Sequence, residues 1–528
     1  MTERRLSGLS TLLEARGLLA SEPIPAHGAE ADPRIAAVRY DSRQVEPGDL
    51  FVARRGQQVD GHDHMDHAVE AGAAAVLVER PVPGEPVPEL VVRDTKVALG
   101  LAAAWCAGDP SSELGVVGIT GTDGKTTTAY LVRAILDDAG LRAGLLGTTD
   151  VIVAGRSLGN AARTSTPEAP ELQAHLAAML AQGDRWAVVE SSSHGLAQQR
   201  VSGVAYDVAV LTNVTSEHLE YHGTLDAYRA AKRSLFERLA VSAENPDKGW
   251  GKHAVINADD PEGPAAAAAA EAAGANVLGY GLAGALARDG SAAEGLAIAA
   301  THLRETPSGM HVEMSSGDWQ GTVRLRLAGR FNVANALAAM GVALSLGLDL
   351  DAAAAALGGL EAVPGRMQRV DEGQPYSVVI DYAHTADSLA KVLDELAPGD
   401  PGARLIALFG SAGDRDPSKR RPMGRVAGAR CDLVIVTDED PRSEDREAIL
   451  EAIADGAVEA GMQRDRDLLL IADRGGAIAA AMRAARPGDV VVLAGKGHEK
   501  TIETAAGEQP WDEAAAARAA IRAAAGQD

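Results

Sequence analysis

Residues 114–128 read LGVVGITGTDGKTTT, an apolar and β-branched run that breaks into a glycine-rich turn and closes on Lys125. The run has the composition of a buried strand. The next stretch, KTTTAYLVRAILDDAG at 125–140, carries apolar residues at 131, 134 and 135, with Gly140 placed to cap a helix end. Together they predict strand, turn and helix. In that arrangement the N–H groups of the turn converge on phosphate oxygens at the positive end of the helix, Lys125 neutralises charge, and Thr126 can reach a Mg²⁺ ion. The strict nucleotide-binding spacing is not kept, because the residue six before Lys125 is Ile119 rather than glycine. Taken alone, the turn leaves an ordinary strand-to-helix connection open.

Neighbouring segments narrow the choice. RWAVVE (185–190), YDVAVLTNV (206–214) and HAVINAD (253–259) are further apolar runs, alternating with helical stretches such as DAYRAAKRSLFERLA. Such alternation predicts a mostly parallel sheet covered by helices, with ligands at the strand C-terminal ends. Glu190 closes one of these runs, and His218 and His222 come after another in TNVTSEHLEYHG. A carboxylate and an imidazole beside a phosphate turn can complete the shell of a magnesium ion that bridges ATP phosphates. From residue 363 a second series, SVVIDYA, ARLIALFG, CDLVIVTD, DLLLIAD and DVVVLAG, predicts five strands of another doubly wound domain. PVPGEPVPE (81–89) and GDPSSE (108–113) are turn-forming breaks that end a first domain near 112, and the alanine-rich PAAAAAAEAA (264–273) reads as a surface helix. The expected organisation is three α/β domains, at 1–112, 113–362 and 363–528, the last Rossmann-like.

With 528 residues the chain exceeds what one hydrophobic core supports. A formal charge of −24 disfavours nucleic acid and anionic membranes as partners, so phosphates must be held by local dipoles and a few placed cations. Cys106 and Cys431 have no metal-ligand spacing and read as idle thiols. The N-terminus lacks a continuous apolar core and no stretch offers about 20 strongly apolar residues, so a cytoplasmic protein without membrane insertion is expected.

TGTDGKTTT, ESSSHGLAQQR, TNVTSEHLEYHG, AAKRSLF, NADD, GRFNVANALAA, VPGRMQ, DYAHTADSL, GSAGDRD and AGKGHE stand in the order, and at close to the spacing, of the Mur ligase superfamily. The chain resembles the branch that adds a diamino acid to UDP-N-acetylmuramoyl-L-alanyl-D-glutamate during cell-wall precursor synthesis. The likeness runs from DSRQVEPGDLFVA (41–53) to GKGHE (495–499). It implies that Gly121, Thr122, Asp123, Gly124, Lys125, Thr126 and Thr127 cradle the ATP phosphates, with Thr126, Glu190 and His218 toward magnesium. Lys232 matches a lysine carbamylated by CO₂, which converts a cation into an oxygen-bearing anion that a hard metal prefers. Asn332 and Asn335 fall at adenine-contact positions, although both can also serve as helix-start residues; Arg366 falls at a phosphate contact and Asp381 at a ribose contact. Ser42 matches a uridine-side contact, and Ser165, Thr166, Ser192, Gln198 and Arg200 match contacts to the rest of that substrate.

The amino-acid pocket departs from the family pattern. Where relatives using meso-diaminopimelate carry D-N-P-R, this chain has Glu439, Asp440, Pro441 and Arg442, with Arg420, Gly495 and Glu499 kept. Paired guanidiniums suit the distal carboxylate of diaminopimelate, whereas the extra charge of Asp440 suits the bare ammonium of lysine or ornithine. Ala386 stands for a proline and Glu220 for an aspartate, changes that touch loop geometry. The implied reaction moves the γ-phosphoryl group of ATP to the D-glutamate side-chain carboxylate, and an amine then attacks the acyl phosphate. A general base is needed, with His218 or the carbamate as candidates, and domain closure is expected to exclude water. A folylpolyglutamate synthase-like ligase and a non-catalytic nucleotide switch are the rival readings. The first is opposed by the DSRQVEPGDLFVA domain, the second by Lys125, Glu190, His218 and Lys232 occurring together. A monomer is expected.

Overall fold

In the computed structural model, strand Gly115–Thr120 runs between two parallel neighbours, Trp186–Glu190 and Val208–Leu211, and this placement positions the phosphate turn and the groups around it. The structure describes residues 4–25, 30–56, 59–82, 84, 86–160, 164–215, 217–242, 248–282, 295–306, 309–327 and 329–526. Pro83 and Glu85 of the first predicted break, and Ser216 of the histidine motif, lie outside them.

Ala143–Leu146 extends the central sheet beyond Trp186–Glu190, and His253–Asn257 and Asn276–Leu282 extend it beyond Val208–Leu211, all in parallel. Strands of this kind are buried on both faces, which is why they read as unbroken apolar runs. The sheet reaches eleven strands among the described residues, with Val151–Val153 and Arg156–Ser157 at one end and Ile298–Thr306, Gly309–Ser316 and Trp319–Leu325 at the other. The strands Gly309–Ser316 and Trp319–Leu325 escape a search for apolar runs because polar residues alternate along them: in Trp319–Leu325 only Val323 and Leu325 are buried. Helix Lys125–Asp138 packs on the sheet through Leu131, Ile135 and their neighbours, and Gly140 comes after it at φ +73°. The alanine-rich helix Gly263–Ala272 buries only Gly263, Ala266 and Ala270.

The first domain carries a four-stranded parallel sheet, Val38–Arg39, Leu50–Val52, Ala75–Val78 and Glu89–Val91 in that order. The third domain carries all five predicted parallel strands, in the order Ser377–Asp381, Val490–Ala494, Leu405–Phe409, Leu433–Val436 and Leu468–Leu470, with an apolar cluster on each face. Gln368–Arg369 adds an antiparallel edge. The chain is therefore α/β with parallel sheets in three domains. By compactness it forms two units, Met1–Leu303 with Val312–Val323 and Ala334–Leu357, and Gly358–Asp528 with Arg304–His311 and Arg324–Val333. No helix among the described residues is long and apolar enough to cross a membrane.

Candidate active site

The turn after Gly115–Thr120 is held open by the segment beside it. Thr122 N–H donates to the Asn213 carbonyl at 2.7 Å, Asp123 N–H donates to Asn213 Oδ1 at 2.9 Å, and Thr212 Oγ1 donates to the Asp123 carbonyl at 2.6 Å. Gly124 sits at φ +82°, where a Cβ would lie 2.3 Å from Asn335 Oδ1, so glycine is required twice over. Gly124 is also the N-cap of helix Lys125–Asp138, and among the described residues no side-chain cap closes that end. The N–H groups there are left for an anion. Thr126 and Thr127 are buried in the first turn of that helix.

Two lysines meet at this turn. Lys125 Nζ donates to the carbonyls of Gly121 at 2.8 Å and Thr122 at 2.7 Å, and Lys232 Nζ donates to the same Gly121 carbonyl at 2.5 Å. Lys232 projects from helix Leu225–Glu237, is buried, and lies 4.4 Å from the centre of the Tyr228 ring. Burial, and then the Lys125 ammonium, push its pKa well below that of an ordinary lysine. It is thus held toward the neutral amine, the form that reacts with CO₂.

Glu190 ends its strand opposite Ile119 and is fully buried. Its carboxylate accepts from Thr148 N–H at 3.0 Å and Thr148 Oγ1 at 2.9 Å, and among the described residues no cation pairs with it. A buried carboxylate with only neutral donors is chemically suited to a hard cation. Among the described residues, no three imidazole, thiol or carboxylate groups converge as a ready metal cage.

Of the residues matched to the UDP-linked substrate, Ser165, Thr166, Ser192, Gln198 and Arg200 form one connected set around Glu190. Thr148 Oγ1 is 2.7 Å from Ser165 Oγ, Thr166 Oγ1 donates to the Glu190 carbonyl at 2.7 Å, and Ser192 N–H donates to Thr166 Oγ1 at 3.0 Å. Arg200 donates to the Thr166 carbonyl and to Gln198 Oε1, both at 2.7 Å, and pairs with Glu168 at 3.0 Å. Glu168 in turn pairs with Arg54 of the first domain at 2.6 Å. Arg54 and Glu168 were not found from sequence, since they are 114 residues apart. Ser42 is buried in the short 3-10 turn Ser42–Gln44 of the first domain.

His218, at φ +54°, caps helix Leu219–His222; its Nδ1 lies 3.4 Å from Glu220 and its Nε2 3.7 Å from Glu217. His194 was overlooked although it stands inside the quoted ESSSHG motif. Its ring centre is 4.6 Å from that of His218 and 5.5 Å from that of His222. Burial, and then the nearby His218 and His222, depress its pKa from 6.5 to about 4. His194 should therefore remain neutral from pH 5 to 8, with NMR ring shifts flat over that range; a midpoint near 6.5 would contradict this environment. Because the unfolded chain binds a proton that the folded one refuses between those two values, this group withdraws stability as pH falls below 6.5.

Asn335 accepts from Thr128 Oγ1 at 3.3 Å and faces Gly124, which places it at the phosphate turn; Asn332 is buried one turn earlier in helix Arg330–Ser345. In the second unit, Asp381 ends strand Ser377–Asp381 and accepts from the N–H groups of Met367 and Ala383 at 2.9 and 2.8 Å. The Arg366 guanidinium lies 4.8 Å over the Tyr382 ring.

The amino-acid residues gather at the C-terminal ends of strands Leu405–Phe409, Leu433–Val436 and Val490–Ala494, and the charge balance differs from the sequence-based expectation. Arg420 grips Glu444 through two bonds of 2.6 and 2.8 Å, and Arg442 binds Glu503 at 2.8 Å. Each guanidinium is thus already occupied by a carboxylate of the protein. Asp440 is buried against Lys496 at 2.8 Å, so its charge is compensated internally; Lys496 also pairs with Glu499 at 2.5 Å. Burial raises the pKa of Glu499. Pro441 carries Arg442 into a left-handed conformation, φ +53°, and Gly495 sits at φ +97°.

Comparison with known proteins agrees with this geometry. Residues 34–104 match the Mur ligase family catalytic domain, 119–343 the Mur ligase middle domain, and 365–497 the Mur ligase glutamate ligase domain. A protein of Roseiflexus sp. (strain RS-1), named UDP-N-acetylmuramyl-tripeptide synthetase, is 46% identical over 94% of this chain and 96% of its own. One from Geobacillus kaustophilus, named UDP-N-acetylmuramoyl-L-alanyl-D-glutamate--2,6-diaminopimelate ligase, is 39% identical over 94% and 96%. A solved structure of a ligase of that second name superposes with a TM-score of 0.66 at 32% identity, covering 94% of this chain and 97% of its own.

Proposed function

Because the chain belongs to the Mur ligase family, we propose that it joins a diamino acid, meso-diaminopimelate, to the D-glutamate side-chain carboxylate of UDP-N-acetylmuramoyl-L-alanyl-D-glutamate at the expense of ATP. The observation that carries this reading is the meeting of Lys125 and a buried Lys232 on one carbonyl of the phosphate turn, with Glu190 at the next strand end paired to no cation among the described residues. A plain strand-to-helix connection has no use for such a costly arrangement.

In the proposed mechanism the free N–H groups at the head of helix Lys125–Asp138 hold the β- and γ-phosphates, and Lys125 leaves the Gly121 and Thr122 carbonyls to track the charge of the moving phosphoryl group. Thr126, Glu190, His218 and Lys232 as a carbamate would hold a Mg²⁺ ion, which when bound neutralises phosphate charge. Asn335 orients the nucleotide against the turn, with Asn332, Arg366 and Asp381 as further nucleotide contacts. Ser165, Thr166, Ser192, Gln198 and Arg200 position the muramoyl peptide so that its carboxylate faces the γ-phosphate, and Ser42 holds the uridine side. Transfer gives an acyl phosphate; the amine of the diamino acid attacks its carbonyl carbon, the C–O bond to phosphate breaks, and a base takes the amine proton. The candidate bases are His218, partly exposed, and the carbamate on Lys232, whichever of the two keeps a lone pair clear of the ion.

Diaminopimelate is favoured over lysine and ornithine because Arg420 keeps a buried Nε without a hydrogen-bond partner among the described residues, a donor available to a distal carboxylate. The chain is read as a cytoplasmic monomer with functional divisions at 1–112, 113–362 and 363–528. Phosphate release with the UDP-linked dipeptide and diaminopimelate, lysine or ornithine in parallel tests the proposal. Release is expected only when dipeptide and amino acid are both present. Absence of release with any of them favours a nucleotide switch, and preference for lysine or ornithine overturns the diaminopimelate assignment alone.

A further inference from the structure

Between Gln198 and Arg200, both matched to the UDP-linked substrate, stands a residue under backbone strain. Gln199 sits at φ +62°, a left-handed conformation that a residue with a side chain rarely takes up. Its backbone closes a turn, donating to the Leu196 carbonyl and accepting from Ser202 N–H, each at 3.1 Å. Its side chain is pinned. Arg238, directly after helix Leu225–Glu237, donates to Gln199 Oε1 and, at 3.5 Å, to Ser202 Oγ, while Ser202 Oγ donates to the same Gln199 Oε1 at 2.9 Å. Burial lowers the pKa of that guanidinium, so the cation is held within the protein rather than in water. The first domain also bears on this turn. In helix Thr95–Ala107 a Cβ on Gly100 would lie 2.8 Å from Ser202 Cβ and 3.3 Å from the Gln199 carbonyl oxygen, and a Cβ on Gly203 would lie 2.3 Å from the Gly100 carbonyl oxygen. Helix and turn therefore meet without a side chain between them that could give way.

We propose that Arg238 is a positioning residue for the UDP-linked substrate, acting through Gln199 to aim Gln198 and Arg200. The inference rests on the ligase reading above and deepens it. Gln198 and Arg200 move as a pair, since Arg200 donates to Gln198 Oε1 from two nitrogens, at 3.1 and 2.7 Å. If Gln199 relaxed to a right-handed or extended conformation, both would swing away with it. A guanidinium suits the clamp because its fork spans two acceptors at once, which the point charge of a lysine does not. The same helix carries Lys232 to the phosphate turn, so one element gives the ATP side and the acceptor side a common frame. The clamp acts on population: without it the turn spends less time aimed, and apparent affinity for the substrate falls by the fraction lost.

Steady-state phosphate release, with one substrate varied and the other two saturating, tests the proposal, using the diamino acid that the wild type prefers. Arg238→Met should raise KM for the UDP-linked dipeptide about tenfold, with kcat and the other two KM values within about twofold of wild type. Gln199→Ala keeps the strain and loses the bond, so it should do the same. The double variant should be no worse than either single one, because both remove one interaction. Gln199→Gly should recover most of the loss, since glycine takes the left-handed turn without strain, and Arg238→Lys should fall between wild type and Arg238→Met. An unchanged dipeptide KM in Arg238→Met, an equal rise in KM for ATP, effects that add in the double variant, or Gln199→Gly as poor as Gln199→Ala overturns the proposal. Should Arg238→Met melt far below wild type, the two Gln199 variants decide, and equal dipeptide KM values in them overturn it. A wild type that neither releases phosphate nor binds the UDP-linked dipeptide removes the ligase reading itself, whereas unaltered KM values in the variants remove only the role of Arg238.

Discussion

Lys232→Ala folds and loses activity by about 10³-fold or more, read as phosphate release with dipeptide and diamino acid saturating. The expectation comes from where the amine sits. Lys232 is buried on the Gly121 carbonyl, and burial together with Lys125 lowers its pKa far below the usual 10.5. A neutral amine adds CO₂, forming an N–C bond and losing one proton to leave a carbamate; an ammonium has no lone pair for that step. Removing CO₂ and bicarbonate should therefore slow the wild type reversibly and leave the residual rate of Lys232→Ala unchanged. The sign of the stability effect is also determined. At neutral pH the unfolded chain carries the Lys232 proton and the unmodified folded chain tends to shed it, so folding is penalised, and the penalty shrinks as pH rises toward 10.5. In CO₂-free buffer Lys232→Met should thus melt higher than wild type at pH 7, with the gap narrowing toward pH 10. Near-normal turnover in Lys232→Ala, or a wild-type rate indifferent to CO₂, would remove the carbamate from the mechanism.

Lys125→Ala should lower kcat by roughly 10²–10³-fold with a smaller change in KM for ATP. Among the described residues the lysine is bonded to the Gly121 and Thr122 carbonyls alone, partners it can exchange for phosphate oxygens as charge spreads in transfer. The fold should survive, since the turn is braced independently by Thr212 and Asn213. A second consequence separates Lys125 from a mere anchor. Its ammonium is one of the two causes that depress the Lys232 pKa, so Lys125→Ala should raise that pKa and demand more CO₂ for the same carbamate occupancy. Retention of a tenth or more of the activity in Lys125→Ala would show that the turn's N–H groups alone suffice.

Much of this architecture was legible before any coordinates. Buried parallel strands are apolar throughout, so LGVVGIT, RWAVVE and SVVIDYA announced themselves, and a glycine turn between strand and helix marked the sheet end where ligands collect. His194 was legible but passed over, because a histidine gains meaning only once His218 and His222 are seen around it. The strand Trp319–Leu325 was not legible as an apolar run, since only Val323 and Leu325 along it are buried.

Charge was the other limit. Sequence matched Asp440 and Arg442 to the incoming amino acid without showing that Lys496, 56 residues after the first, and Glu503, 61 after the second, pair with them. Chain order determined by itself the strand ends, the phosphate turn and which residue types stand there, because these depend on local conformational preference and burial. Which carboxylates are already paired, and which amine is pushed toward its neutral form, were decided by tertiary structure, because electrostatic partners are chosen by distance in space and by the loss of water around them.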